Sequence, residues 1–125
     1  GKHGSTFGGN PLACSAGIVT LNTIEKYYLI KNAAKQGVLI SNLLKKKFKN
    51  NNNIVSIRSL GLMIGIELSL PCNEIVNIAL EKKLLINVTS ENVIRLLPPL
   101  IINETEAKIL CKRLINVIET FLNNL

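Results

Sequence analysis

The stretch Gly4-Ser5-Thr6-Phe7-Gly8-Gly9-Asn10-Pro11 concentrates residue types that hold anions. Ser5 and Thr6 each offer a hydroxyl and a backbone N–H. Gly4, Gly8 and Gly9 let the main chain approach a ligand closely and visit positive φ. Asn10 is a favoured N-cap, and Pro11 then falls at the first helical position, where its missing N–H costs nothing. A glycine-rich polar loop that runs into a helix is either an ordinary turn with its cap or a phosphate cradle at the positive end of the helix dipole. Arg95 is the second candidate. It lies among Val93, Ile94, Leu96 and Leu97, just before Pro98-Pro99, and an arginine in such company needs a carboxylate partner or a water-lined pocket. Its planar fork can grip the carboxylate of a ligand or one from the protein itself, such as Glu67.

The elements that must position these residues can be read from the apolar pattern. Pro11 to about Lys26 reads as a helix crowded with Ala13, Cys14, Ser15, Ala16 and Gly17, small residues that permit another backbone to come close. A second helix, from about Leu29 to Phe48, carries Ile30, Ala33, Ala34, Gly37, Ile40, Leu44 and Phe48 at helical spacing. Strands are predicted at 54–58 and 62–68, the latter with Leu62, Ile64, Ile66 and Leu68 on one face and Gly65 and Glu67 on the other. A short helix over about 73–82 follows. Two more strands, 84–89 and 93–97, are joined by a polar turn at Ser90, Glu91 and Asn92. The last helix opens at Asn103 with Glu106 in capping-box position, and Ala107, Leu110, Cys111, Leu114, Val117, Phe121 and Leu125 form its inner stripe. The order predicts an α+β fold with helices covering one face of a small sheet.

Composition narrows the function classes. Hydrophobic residues make up 47% of the 125, so a packed core is expected rather than disorder. The net charge of +7 raises the question of nucleic acid. The run Lys45, Lys46, Lys47 and Lys49 sits where a helix ends and its dipole favours cations. Two Tyr and three Phe make no stacking platform, so no nucleic-acid partner is expected. Cys14, Cys72 and Cys111 show no metal-ligand spacing, and with a single histidine no metal site is indicated. They read as small buried residues in a reducing, cytoplasmic setting. No signal peptide or membrane-length apolar run is evident, and no membrane partner is expected. The chain starts at Gly1, and its only Met is Met63, as in a piece of a longer protein.

Three strings carry a resemblance. His3 to Cys14, HGSTFGGNPLAC, resembles a signature of the class III pyridoxal-phosphate (PLP) aminotransferases and is most similar to their acetylornithine branch. Ser56 to Leu68 resembles the family's IRG-x-GL-x-IG-x-EL strand pair, and Asn92 to Leu100 its NVIRLLPPL segment, in family order and over essentially the whole chain. The resemblance implies the C-terminal small domain of a fold-type-I PLP transferase, a mostly antiparallel sheet preceded by a long helical segment. Residues 1–28 would be a cofactor-facing loop and interface helix at the end of the large domain, and 29–125 the small domain.

The resemblance also implies roles. Thr6 would bind the PLP phosphate across a homodimer interface, in the partner's site, and Ser5 would touch the amino-acid substrate there. For both, the alternative is local hydrogen bonding that shapes the loop. Arg95 would bind the α-carboxylate of the amino acid or of 2-oxoglutarate. Arg58 matches a family position but is given no ligand. His3 reads as a loop-shaping residue, since the cofactor-binding lysine handles the proton transfers in this chemistry. That lysine belongs to a segment upstream of the loop, and the chain contains no Asp to face the pyridine nitrogen, so no catalytic residue is assigned and the isolated piece is expected to be inactive. The implied whole enzyme moves an amino group between N-acetylornithine and 2-oxoglutarate in arginine biosynthesis. The alternatives are a sister enzyme acting on ornithine, 4-aminobutyrate or succinyl-diaminopimelate, or a noncatalytic remnant that serves as a binding or structural module.

Overall fold

The computed structural model describes residues 4–124; Gly1, Lys2, His3 and Leu125 lie outside them. Helix α1 (Pro11–Lys26) begins as the sequence predicts, with the Asn10 side chain accepting from the Ala13 N–H at 3.0 Å and Pro11 in the first turn. It ends at Tyr27. Tyr28, with φ of 53°, turns the chain in the left-handed region before α2 (Leu29–Lys47) starts. None of the α1 residues is buried.

Helix α2 buries Leu29, Ala33, Gly37, Ile40 and Leu44, with Phe48 just past its end. The stripe starts one residue earlier than predicted. Ile30 is 72% exposed and Ala34 is also outside, because the helix begins directly at Leu29 and the 3.6-residue period then carries the inner face through 33, 37, 40 and 44. Gln36 and Ser41, both polar, lie buried on the flanks of this face. Gly37 is required by close approach. A Cβ there would run into the carbonyl of Gly61, the turn residue between the first two strands, whose φ of 54° is itself in the glycine-favoured region.

Four strands follow, β1 (Ile54–Leu60), β2 (Met63–Leu68), β3 (Asn87–Thr89) and β4 (Val93–Leu96), in the spatial order β1-β2-β4-β3 with every neighbour antiparallel. The predicted strand over 84–89 is shorter in fact. Leu84 is buried ahead of it, Leu85 is fully turned out, and only three residues pair with β4 at the sheet edge. Between β3 and β4, Ser90 (φ 51°) and Glu91 (φ 64°) adopt left-handed conformations, and the Glu91 carbonyl accepts from the Cys72 N–H at 2.8 Å. That bond holds the turn against the end of β2.

Helix α3 (Ile75–Glu81) crosses between β2 and β3, and α4 (Glu104–Asn123) closes the fold. The capping box at α4 is complete. Asn103 accepts from the Glu106 N–H, and the Glu106 carboxylate accepts from the Asn103 N–H, each at 2.9 Å. Ile64, Ile66 and Leu68 of β2 and Ile94 and Leu96 of β4 share one sheet face and form a single core with Ile40, Leu44, Leu114, Val117 and Ile118 of the helices. The helices therefore cover one face only. The other face of the sheet carries the polar residues of the same strands.

Candidate functional site

The loop ahead of α1 is shaped by its backbone and by Asn10. Gly8 N–H donates to the Ser5 carbonyl at 3.2 Å, and the Asn10 side-chain amide donates to the Phe7 carbonyl at 2.7 Å. Gly9 takes a φ of 75°, whereas Gly8 does not use the positive region. Among the described residues, neither the Ser5 nor the Thr6 hydroxyl makes a hydrogen bond, and both residues are exposed. The turn is thus built without those hydroxyls. Two O–H groups beside glycine backbone form a donor set suited to a phosphate or carboxylate.

A separate cleft of about 400 Å³ lies on the uncovered sheet face, lined by Arg58, Met63, Gly65, Thr89, Val93 and Arg95 among others. Its floor follows from strand register. Arg58 of β1 and Arg95 of β4 both pair with Gly65 of β2, and Asn87 of β3 pairs with Arg95, so all four stand in one row across the sheet and on one face. Ile94 and Leu96, the apolar neighbours of Arg95, point to the opposite face, into the core. Arg95 is therefore exposed, and its Nε donates to Asn87 Oδ1 at 3.1 Å, which leaves its terminal N–H groups open to the cleft.

Glu67 is not the partner of Arg95. It pairs with Arg58, whose Nη1 lies 2.6 Å from Glu67 Oε2, and Ser56 Oγ donates to the same oxygen at 3.0 Å. Arg58 Nη1 also reaches Ser56 Oγ at 2.8 Å. The hydrogen bond from Arg58, and then that from Ser56, holds the Glu67 carboxyl below the usual carboxylate range. This brace could not be read from sequence, although the pairing of Arg58 with Gly65 is what two short antiparallel strands joined at Gly61 would produce. The loop carrying Ser5 and Thr6 lines no part of this cleft, so the structure places the sequence-derived site residues in two separate locations.

Two of the three thiols, Cys72 and Cys111, are structural. Burial pushes the Cys72 thiol up, and that of Cys111 to about 11, which keeps both protonated and unreactive. Cys14 is exposed, contrary to the sequence expectation, because α1 buries none of its residues. Among the described residues no group of three or more His, Cys, Asp or Glu side chains could hold a metal, and no helix is long and apolar enough to cross a membrane.

A small sheet covered on one face by helices, with an arginine row on the other and a glycine-rich donor loop ahead of it, matches one class of protein in both sequence and fold. The family described as aminotransferase class-III matches residues 1–118. Acetylornithine aminotransferase 1 of Bordetella bronchiseptica is 44% identical over 98% of the chain, and the acetylornithine aminotransferase of Caldanaerobacter subterraneus is 48% identical over 85%. Among solved structures, acetylornithine aminotransferase from Elizabethkingia anophelis superposes with a TM-score of 0.86 at 33% identity over 96% of the chain. Ornithine aminotransferase from Toxoplasma gondii superposes at 0.90 and 29% over all of it. The chain belongs to the class III aminotransferases. It spans about a third of its relatives' length, 31% for the Bordetella protein and 33% for the Elizabethkingia structure, and corresponds to their C-terminal part.

Proposed function

We propose that this chain is the C-terminal part of an acetylornithine aminotransferase, a PLP enzyme that moves an amino group between N-acetylornithine and 2-oxoglutarate in arginine biosynthesis. The observation that carries the reading is the 44% identity to an acetylornithine aminotransferase across 98% of the chain. PLP, when bound, acts as an electron sink for the bond broken at the amino-bearing carbon. The chain's own residues bind and orient. Thr6 donates its hydroxyl and N–H to the cofactor phosphate in the partner's site of a homodimer, and Ser5 meets the substrate beside it. Their unengaged hydroxyls fit that donor role. Arg95 holds a substrate carboxylate through the N–H groups that Asn87 leaves free. With no Asp in the chain, the group facing the pyridine nitrogen comes from the rest of the protein, as does the lysine that links the cofactor.

The division at residue 28 belongs to the same proposal. Residues 1–28 would be the end of the large domain and an interface helix, and 29–125 the small domain. It is supported by the left-handed Tyr28 and by a buried core that begins at Leu29, while α1 exposes Leu12, Ile18, Val19 and Leu21.

A second reading, an enzyme acting on ornithine itself, is favoured by the superposition on the Toxoplasma ornithine aminotransferase. The test is glutamate production by the whole protein from 2-oxoglutarate with either donor. The proposal expects N-acetylornithine to have the higher kcat/KM. A preference for unacetylated ornithine would support the second reading, and no transfer from either donor would contradict both.

A further inference from the structure

The cleft contains a second arginine with no assigned ligand. Arg58 is tied down through one nitrogen only. Its Nη1 takes the Glu67 and Ser56 contacts, and among the described residues its Nε and Nη2 make no hydrogen bond. The brace also directs it. A Cβ placed on Gly65 would meet Arg58 Nε and Cγ at 3.7 Å each, so the free Nε edge of the guanidinium lies over Gly65. Arg95 stands on the other side of the same glycine, one strand further on, with its own terminal N–H groups free. Neighbouring strands are about 4.8 Å apart, so an anion above Gly65 is within reach of both long side chains. Because Glu67 neutralises only one of the two guanidiniums, the row keeps a net positive charge.

We propose that Arg58 is a second carboxylate-reading residue. Together with Arg95 it brackets one substrate carboxylate seated over Gly65, and the Ser56–Glu67 pair acts as the brace that aims it. This rests on the reading of Arg95 as a carboxylate binder. Gly65 matters because it is bare. A methyl group there would make only ordinary contacts, the nearest at 3.5 Å to Val93 Cγ1, so the fold accepts alanine at this position while the seat narrows.

The test is calorimetric titration of glutarate, a dicarboxylate without a reactive carbonyl, into the whole protein and its Arg95→Gln, Arg58→Gln and Gly65→Ala variants. Arg95→Gln and Arg58→Gln should each weaken binding roughly tenfold or more, the scale of a lost charge-assisted contact. The Arg58→Gln/Arg95→Gln double variant should lose less than the product of the two single losses, because both arginines serve one carboxylate. Gly65→Ala should weaken binding with its melting temperature unchanged. Loss in Arg95→Gln alone, with Arg58→Gln and Gly65→Ala at wild-type affinity, overturns this proposal and leaves the reading of Arg95 standing. Wild-type affinity in Arg95→Gln overturns that reading itself. If Arg58→Gln fails to fold because Glu67 is left unpaired, the Arg58→Gln/Glu67→Gln variant, which removes both charges of the pair, decides in its place: wild-type affinity there overturns the proposal, and a roughly tenfold loss supports it.

Discussion

Arg95 and Glu67 show how a single residue's role depends on which face of a strand it occupies. Arg95 reads in sequence as a charge trapped among apolar residues, yet alternation sends its neighbours into the core and leaves it at the open face beside Asn87. If it reads a substrate carboxylate, Arg95→Lys in the whole enzyme keeps the charge and loses the fork. The Michaelis constant for at least one carboxylate substrate should then rise by roughly tenfold while the melting temperature stays put. A lower melting temperature with unaltered kinetics would make Arg95 a structural residue. Glu67 allows a prediction about pH. Its folded pKa is depressed by Arg58 and then Ser56, so the pair stabilises the fold above the pKa of an unfolded glutamate, roughly 4.3, and loses that contribution as pH falls through the folded value. The pair is partly exposed, so the effect is small. Thermal melts of wild type and Glu67→Gln should differ by a constant amount above the pKa of an unfolded glutamate and converge as pH falls through the lowered folded value. A gap that widens in acid would contradict the assignment.

At the scale of elements, Gly37 shows where helix propensity yields to packing. Alanine is normally better than glycine inside a helix by roughly 0.5–1 kcal/mol. Here a Cβ would collide with the Gly61 backbone, which cannot swing aside, so Gly37→Ala should instead destabilise by about 1–3 kcal/mol, read as a lower midpoint in urea. A stabilised variant would mean that α2 and the β1–β2 turn sit further apart. This contact was not legible in the sequence, where Gly37 is one small residue in an apolar stripe. Periodicity did disclose the element order, the Asn10 and Asn103 caps and the buried face of β2, because each is written in local spacing. It misplaced Ile30 and Ala34 at the margin of the α2 stripe and overestimated the length of β3, which depend on where Tyr28 turns the chain and on how far β4 can pair. The donor loop was legible as a motif. The Ser56–Glu67–Arg58 brace was not, since it forms only once register brings two strands together.

At the scale of the molecule, the exposed α1 and the donor loop ahead of it define the central claim. A helix with Leu12, Ile18, Val19 and Leu21 in solvent is an incomplete surface, and Thr6 is proposed to serve the site of a partner subunit. On this proposal Thr6→Val in the whole protein removes one donor to a phosphate dianion and should weaken PLP binding by roughly ten- to a hundredfold. The most direct measurement mixes two defective subunits, one carrying Thr6→Val with its cofactor-linking lysine intact, the other with that lysine replaced and Thr6 intact, and titrates PLP into the purified mixed dimer. If Thr6 serves the opposite subunit, the mixed dimer contains one site with both an intact lysine and an intact Thr6, and that site binds PLP with wild-type affinity. If its affinity is instead as weak as that of the Thr6→Val homodimer, Thr6 serves its own subunit and the account is contradicted.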